Sequence, residues 1–283
     1  MANDILTTIK NDPIIKDAIK KNNISDEEIN DNLYVFEQAY NSLALCKNCK
    51  GFDKCPQKVK GEIYTVDYND RPVNVIRYCK QMKHQKELDD LYSSYLYTDI
   101  PKSLLDVNLD NINPLNTSQG ELFKILSDIS IKQRDKGLYI CGGFGVGKTY
   151  FASALANTLV ANGNNVVFVK CNSFVTNMYT LLMNDSYAFD KLLNRIKNAD
   201  YLILDDIGTE NVTAFSRDRL LYNILDYRME NKMCTIFTSN YDYKNLKAHF
   251  DQLPDANSDR ICERIISLAD MKKLEGENQR HND

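Results

Sequence analysis

Apolar positions follow two different rhythms along this chain. Over the first 45 residues they recur at helical spacing: Ile29, Leu33, Phe36, Tyr40 and Leu43 step by three or four and define one face. Ser25-Asp26-Glu27-Glu28 precedes them as a capping box, with Ser25 at the N-cap and Glu28 reaching back. Residues 64–68 and 73–78 alternate as two short strands around the turn Tyr68-Asn69-Asp70-Arg71-Pro72. Residues 88–118 carry Pro101, Pro114 and many Asn and Asp, and they predict the seam between two domains. After Glu121 the rhythm changes to unbroken apolar runs separated by helices. The runs are 138–141 (LYIC), 166–170 (VVFVK), 201–205 (YLILD) and 234–238 (CTIFT), with helices at 150–161, through 198, and at 216–230. Strands apolar on both faces, alternating with helices, predict an α/β fold with a buried parallel sheet.

Composition adds limits. The 283 residues suffice for one large or two modest domains, and 43% hydrophobic with 26% charged is ordinary for a soluble globular chain. No stretch approaches a membrane span, and the first 21 residues are broken by charges and Pro13, so a cytoplasmic protein is expected. The net charge of −4 gives no global field to attract nucleic acid, which leaves only a local groove for that purpose.

The chemistry concentrates in one motif. Gly142-Gly143-Phe144-Gly145-Val146-Gly147-Lys148-Thr149 satisfies G-x-x-x-x-G-K-[ST], after a strand and at the start of a helix. Glycines let backbone N–H groups turn inward on phosphates, and the helix N-terminus adds positive potential. The nucleotide set expected from it is Gly142, Gly145, Val146, Gly147, Lys148, Thr149 and Tyr150. Lys148 would reach the β and γ phosphates, and Thr149 would offer its hydroxyl to Mg²⁺. The run 201–205 ends in Asp205-Asp206, two acids that need a partner at the tip of a buried strand. Asp205 is the expected Mg²⁺ ligand, and Asp206 the group that polarises the attacking water. Asn240 follows the strand 234–238 and suits either a γ-phosphate sensor or a turn. Arg260 and Arg264, four apart on one helix face, suit surface ion pairs or an arginine finger for a neighbouring subunit.

The eight cysteines fall into two groups. Cys141, Cys171, Cys234 and Cys262 are scattered in apolar settings and read as small buried hydrophobes. Cys46, Cys49, Cys55 and Cys79 cluster among lysines and offer four soft ligands to tetrahedral Zn²⁺. His84 is an alternative ligand for one of them, and a disulfide pair or free thiols are competing readings.

The runs LYICGGFGVGKTYFASALANTL, YLILDDIGTE, TIFTSNYD, DRICERI and LEGENQR, taken in order, resemble the bacterial replicative helicase loaders of the DnaC/DnaI type across roughly residues 120–283. That resemblance implies an AAA+ P-loop ATPase core at 119–283, a linker at 91–118, and a small, mostly helical zinc-binding domain at 1–90 that grips the helicase. It implies Arg264 as the arginine finger, Arg280 as a second sensor arginine, and slow hydrolysis by the Asp-Asp pair. The implied activity is ATP-dependent delivery of the hexameric replicative helicase onto single-stranded DNA, with self-association through the AAA+ part. Lys170, Lys191, Arg195 and Lys197 are candidate DNA contacts. A transposon helper ATPase, or a nucleotide-gated adaptor with little hydrolysis, are the alternatives, and the cysteine cluster favours the loader.

Overall fold

Capping chemistry starts the N-terminal helices. Asp12 caps the amide of Ile14 at 3.1 Å with Pro13 at the first helical position, and Ser25 and Glu28 exchange reciprocal backbone bonds at 3.2 and 2.8 Å. The computed structural model describes residues 2–132, 134–253 and 257–279, in two compact units, Met1–Asp89 and Asp90–Asp283.

The first unit comprises α1 (Ala2–Lys10), α2 (Pro13–Asn22), α3 (Asp26–Asp31), α4 (Leu33–Cys46), the antiparallel pair β1 (Glu62–Tyr68) and β2 (Pro72–Tyr78), and the start of α5 (Lys80–Ser94). The helix that the capping box begins does not run on to Leu43 as a single element. Asn32 donates its side-chain amide to the carbonyl of Glu28 at 2.9 Å, a local bond that competes with helix propagation, and α4 restarts at Leu33. The apolar face survives the break: Ile29, Phe36 and Leu43 pack with Ile9, Ile15 and Val66 in one buried cluster.

The second unit is built on β3 (Tyr97–Thr98), α6 (Thr117–Ile131), β4 (Gly137–Gly142), α7 (Lys148–Ala161), β5 (Val166–Lys170), α8 (Cys171–Asn184), α9 (Ser186–Lys197) and β6 (Tyr201–Asp205). A π-helical segment (Ala214–Leu221) then leads into α10 (Tyr222–Glu230), followed by β7 (Thr235–Ser239), α11 (Tyr243–Phe250), α12 (Asn257–Leu268) and β8 (Ala269–Leu274). The strands form one parallel sheet in the order β3-β5-β6-β7-β4-β8. Because β4 lies between two strands that follow it in sequence, its C-terminal end opens on the crevice where such sheets bind ligands.

The stretch 91–118 belongs to this second unit and is no free linker. Leu96 and Asp99 donate to the carbonyls of Val166 and Phe168 on β5 at 3.1 and 2.8 Å. Buried Asn157 of α7 then gathers the segment: its amide donates to the carbonyls of Leu104 and Val107, and its oxygen accepts from the Tyr95 hydroxyl at 2.6 Å. The Asn- and Pro-rich composition that suggests a linker supplies the caps and short turns of an ordered strap. The amide also reaches the Leu105 carbonyl at 3.2 Å, so replacing Asn157 by Ala leaves one buried hydroxyl and three carbonyls without their partner. We expect a loss of about 3 kcal/mol in unfolding free energy, with residues 95–107 becoming the first cut by protease. A loss below about 0.5 kcal/mol, the usual range for surface changes, would contradict this role.

Candidate nucleotide site and a cysteine-lined cavity

The glycine-rich loop leaves β4 and turns into α7 through two glycines in the left-handed region, Gly145 at φ 73° and Gly147 at φ 101°, where a side chain is strained. Gly145 has a second constraint. The side-chain oxygen of Asn278 lies where its Cβ would stand, and the amide of Gln279 donates to its carbonyl at 3.1 Å. The segment after β8 therefore lies on the loop. Val146 is buried, and its carbonyl accepts from Gln119 of α6 at 3.5 Å. Tyr150 is half-buried in the first turn of α7, edge-on to Phe151.

Lys148 turns back over this loop. Its ammonium donates to the carbonyls of Gly142 and Gly143 at 3.0 and 2.7 Å and to Asn240 Oδ1 at 2.8 Å. The last bond places Asn240, at the end of β7, on the same spot as the loop lysine. The sequence expected that convergence without being able to choose it over a turn.

Asp205 ends β6 with no exposed surface. Thr149 Oγ1 donates to its Oδ1 at 2.9 Å, and Thr238 Oγ1 donates to the same oxygen at 2.6 Å. The Thr238 hydroxyl in turn accepts the Asp206 amide at 2.9 Å. One threonine of β7 thus fixes both acids, a role the sequence reading missed because Thr238 looks like an ordinary strand residue. Asp206 sits at φ 56°, an uncommon conformation for a residue with a side chain. Burial, and next the neighbouring Asp206 charge, raise the Asp205 carboxyl to about 6. A hydroxyl pair and a buried carboxylate at the loop terminus form a donor set suited to Mg²⁺.

Arg264 is engaged within its own chain: Nε donates to Asp226 Oδ1 at 2.7 Å, and Nη2 to the Tyr222 hydroxyl at 3.2 Å. Arg260 is exposed. Arg280 lies outside the described residues. Among the candidate DNA contacts, Arg195 donates to the carbonyl of Leu96, and Lys197 lies over the Tyr227 ring, while Lys191 is exposed on α9 and Lys170 ends β5 half-buried.

In the first unit, Cys46, Cys49, Cys55 and Cys79 line one cavity of about 640 Å³ together with Phe52, Ile63 and Lys47. The amides of Gly61 and Met82 donate to the sulfurs of Cys55 and Cys79 at 3.4 and 3.5 Å, and the Gln57 side chain donates to Cys46 Sγ at 3.2 Å. The donor chemistry suits zinc, but among the described residues no three Cys, His, Asp or Glu side chains converge on a metal position. His84 lies on α5 near Glu87, 3.9 Å away. The four scattered cysteines are buried as expected, and burial pushes Cys234 up to about 12 and Cys262 up to about 11, which makes both poor nucleophiles.

Comparison with known proteins decides the family. Replicative helicase loader DnaI of Bacillus subtilis (strain 168) is 30% identical over 249 residues, 83% of this chain and 78% of that protein. The chain belongs to the replicative helicase loader family. A family model described as IstB-like ATP binding protein also matches residues 104–283, so the second unit of this loader-family member is an ATP-binding domain. A crystal structure of DnaI aligns with 30% identity and a TM-score of 0.58, over 67% of this chain and 99% of that one. The crystal structure of the DnaC helicase loader aligns at 24% identity and a TM-score of 0.55, over 62% and 100%, which shows the shared fold. With the strand order, these likenesses establish the AAA+ P-loop ATPase fold. No described helix is long and apolar enough to cross a membrane.

The raised Asp205 carboxyl sets a sign for stability. Its folded value, about 6, lies above the ordinary 3.8, so its contribution is greatest below pH 4 and is lost as pH rises through 6. Without bound cation, Asp205→Asn should therefore be more stable than wild type at pH 8, by at most about 3 kcal/mol, and the gain should shrink toward pH 4. Denaturant titrations across pH 4–8 would show it. A variant less stable than wild type throughout would contradict the assignment.

Proposed function

We propose that this chain is an ATP-dependent loader that delivers the hexameric replicative DNA helicase onto single-stranded DNA at the initiation of replication, and that it works in the cytoplasm. The observation that carries the ATPase part is the convergence of Lys148, Asn240, Thr149 and Asp205 around one strand crevice. The partner comes from the loader family.

In this reading the backbone of Gly142, Gly145, Val146 and Gly147 cradles the phosphates, with Tyr150 and Arg280 as further nucleotide contacts. ATP binding takes Lys148 from the loop carbonyls to the β and γ phosphates, the ordinary task of that lysine. Thr149 and Asp205 hold Mg²⁺. Asp206 orients the attacking water, and Asn240 reports the γ-phosphate. Asp206 is one methylene shorter than a glutamate, so turnover is slow. Arg264, oriented by Asp226 and Tyr222, reaches the site of a neighbouring copy when the ATPase domains associate, and it stabilises charge developing on the phosphate. Lys170, Lys191, Arg195 and Lys197 are the candidate contacts for DNA.

The first unit docks the helicase. Its four cysteines share a cavity wall and already receive N–H bonds on three sulfurs, as metal-bound thiolates commonly do. These four thiols would hold Zn²⁺, and the order it supplies would come from binding, since small polar modules gain much of their stability from metal.

Co-purification with the replicative helicase in the presence of ATP tests the division of labour. Wild type and Lys148→Ala should both retain the helicase, while Lys148→Ala loses ATP turnover. Cys49→Ser should lose the helicase, and elemental analysis should find about one zinc per chain in wild type and far less in the variant. Absence of any complex would sink the loader reading and favour a transposon helper or an adaptor. Helicase retention by Cys49→Ser would separate docking from zinc.

A further inference from the structure

Behind the aspartate pair, the loop 206–210 turns back before the π-helical segment, and its last acid is buried. Glu210 is 2% exposed. Its Oε2 accepts the Gly208 amide at 2.9 Å. Its Oε1 has no hydrogen-bond partner and lies 3.8 Å from Nε2 of His249 on α11, which is equally without one. Burying an unpaired polar atom is costly, and here two of them face each other across a gap only slightly too wide for a hydrogen bond.

The surroundings tie this pair to the site. The His249 ring stacks on Tyr241 at 6.0 Å, and Tyr241 directly follows Asn240. A Cβ on Gly208 would meet the Tyr241 ring at 2.7 Å, so the loop and the ring are in close contact. The Tyr241 amide donates to the Ser239 hydroxyl, which donates to the carbonyl of Ile207, and the Tyr241 carbonyl accepts from Tyr139. The loop that presents Asp206 at φ 56° and the strand end that presents Asn240 are therefore one assembly, with Glu210 and His249 at its back.

We propose that Glu210 and His249 form a positioning pair: closure of their gap into a hydrogen bond, Nε2–H donating to Oε1, sets Asp206 and Asn240 in register around the γ-phosphate. This rests on the reading of those two residues as water-orienting and sensing groups. A pair that acts only through the geometry of others affects the rate of the chemical step and leaves ground-state nucleotide binding alone. It also behaves as a unit, so losing one member costs about as much as losing both.

The test uses the full chain with Glu210→Ala, Glu210→Gln, His249→Ala, the double alanine variant and Asp206→Asn, measuring kcat, KM for ATP, nucleotide affinity and Tm. The alanine variants should each lower kcat about tenfold or more, within the range of a lost positioning interaction, with KM and nucleotide affinity within about twofold. The double variant should match the singles. Glu210→Gln has one oxygen, which keeps the bond from the Gly208 amide, and its NH2 cannot accept from His249 Nε2–H. It should therefore lose kcat like the alanine variants, with a smaller loss of Tm. Nucleotide affinity falling in step with kcat and Tm would overturn the proposal, as would additive losses or an unchanged kcat. If wild type turns over but Asp206→Asn does so equally well, the underlying site reading fails instead. If wild type binds ATP without turnover, there is no chemical step for the pair to set, and the proposal is overturned.

Discussion

A carboxylate with no access to water is tolerable only if its surroundings hold it, and Asp205 is held by hydroxyls from two different elements. Thr149 comes from the first turn of α7, and Thr238 from β7. This small cluster joins the loop after β4, the end of β6 and the end of β7, which are the parts that any phosphate chemistry here must use. Thr238 also receives the Asp206 amide, so the two acids cannot move independently. Stabilising interactions and site geometry are the same bonds, and for that reason the site can carry a carboxyl raised to about 6 without losing its shape.

The second unit is otherwise a machine for placing loop ends. Its parallel strands are buried on both faces, their register is fixed, and the functional residues sit at their C-terminal tips. The segment 91–118 extends this sheet through β3, and the chain after β8 lies on the glycine-rich loop through Asn278 and Gln279. The end of the ATP-binding unit thus bears on its nucleotide crevice, while its beginning is built into the opposite edge of the sheet. The first unit has its own core of Ile, Val and Phe and holds its cysteines around a separate cavity.

Most of the sheet was legible in the sequence because unbroken runs such as VVFVK and YLILD have few other uses. The loop motif was legible because its geometry is local: glycine spacing and one lysine determine it. What escaped was set by tertiary pairing. β3 is two residues long, and β8 (ADMKKL) looks like a charged tail until it pairs with β4. Asn and Pro in 91–118 signal irregular backbone, and irregular backbone can be either loose or strapped down by a buried Asn157; only the fold decides. Thr238, Glu210 and Asn278 carry no signature by type. The cysteine spacing suggested a shared metal site; the four clustered cysteines line one cavity, and a closed metal geometry is not among the described residues.

The most direct test of the loader account is delivery of purified replicative helicase onto a covalently closed circle of single-stranded DNA, where threading over an end is impossible. The account predicts stable helicase on the circle only with this chain and ATP, and background levels with Lys148→Ala. Equal helicase recovery without the chain, or with Lys148→Ala in its place, would contradict the claim that nucleotide chemistry in this crevice drives loading.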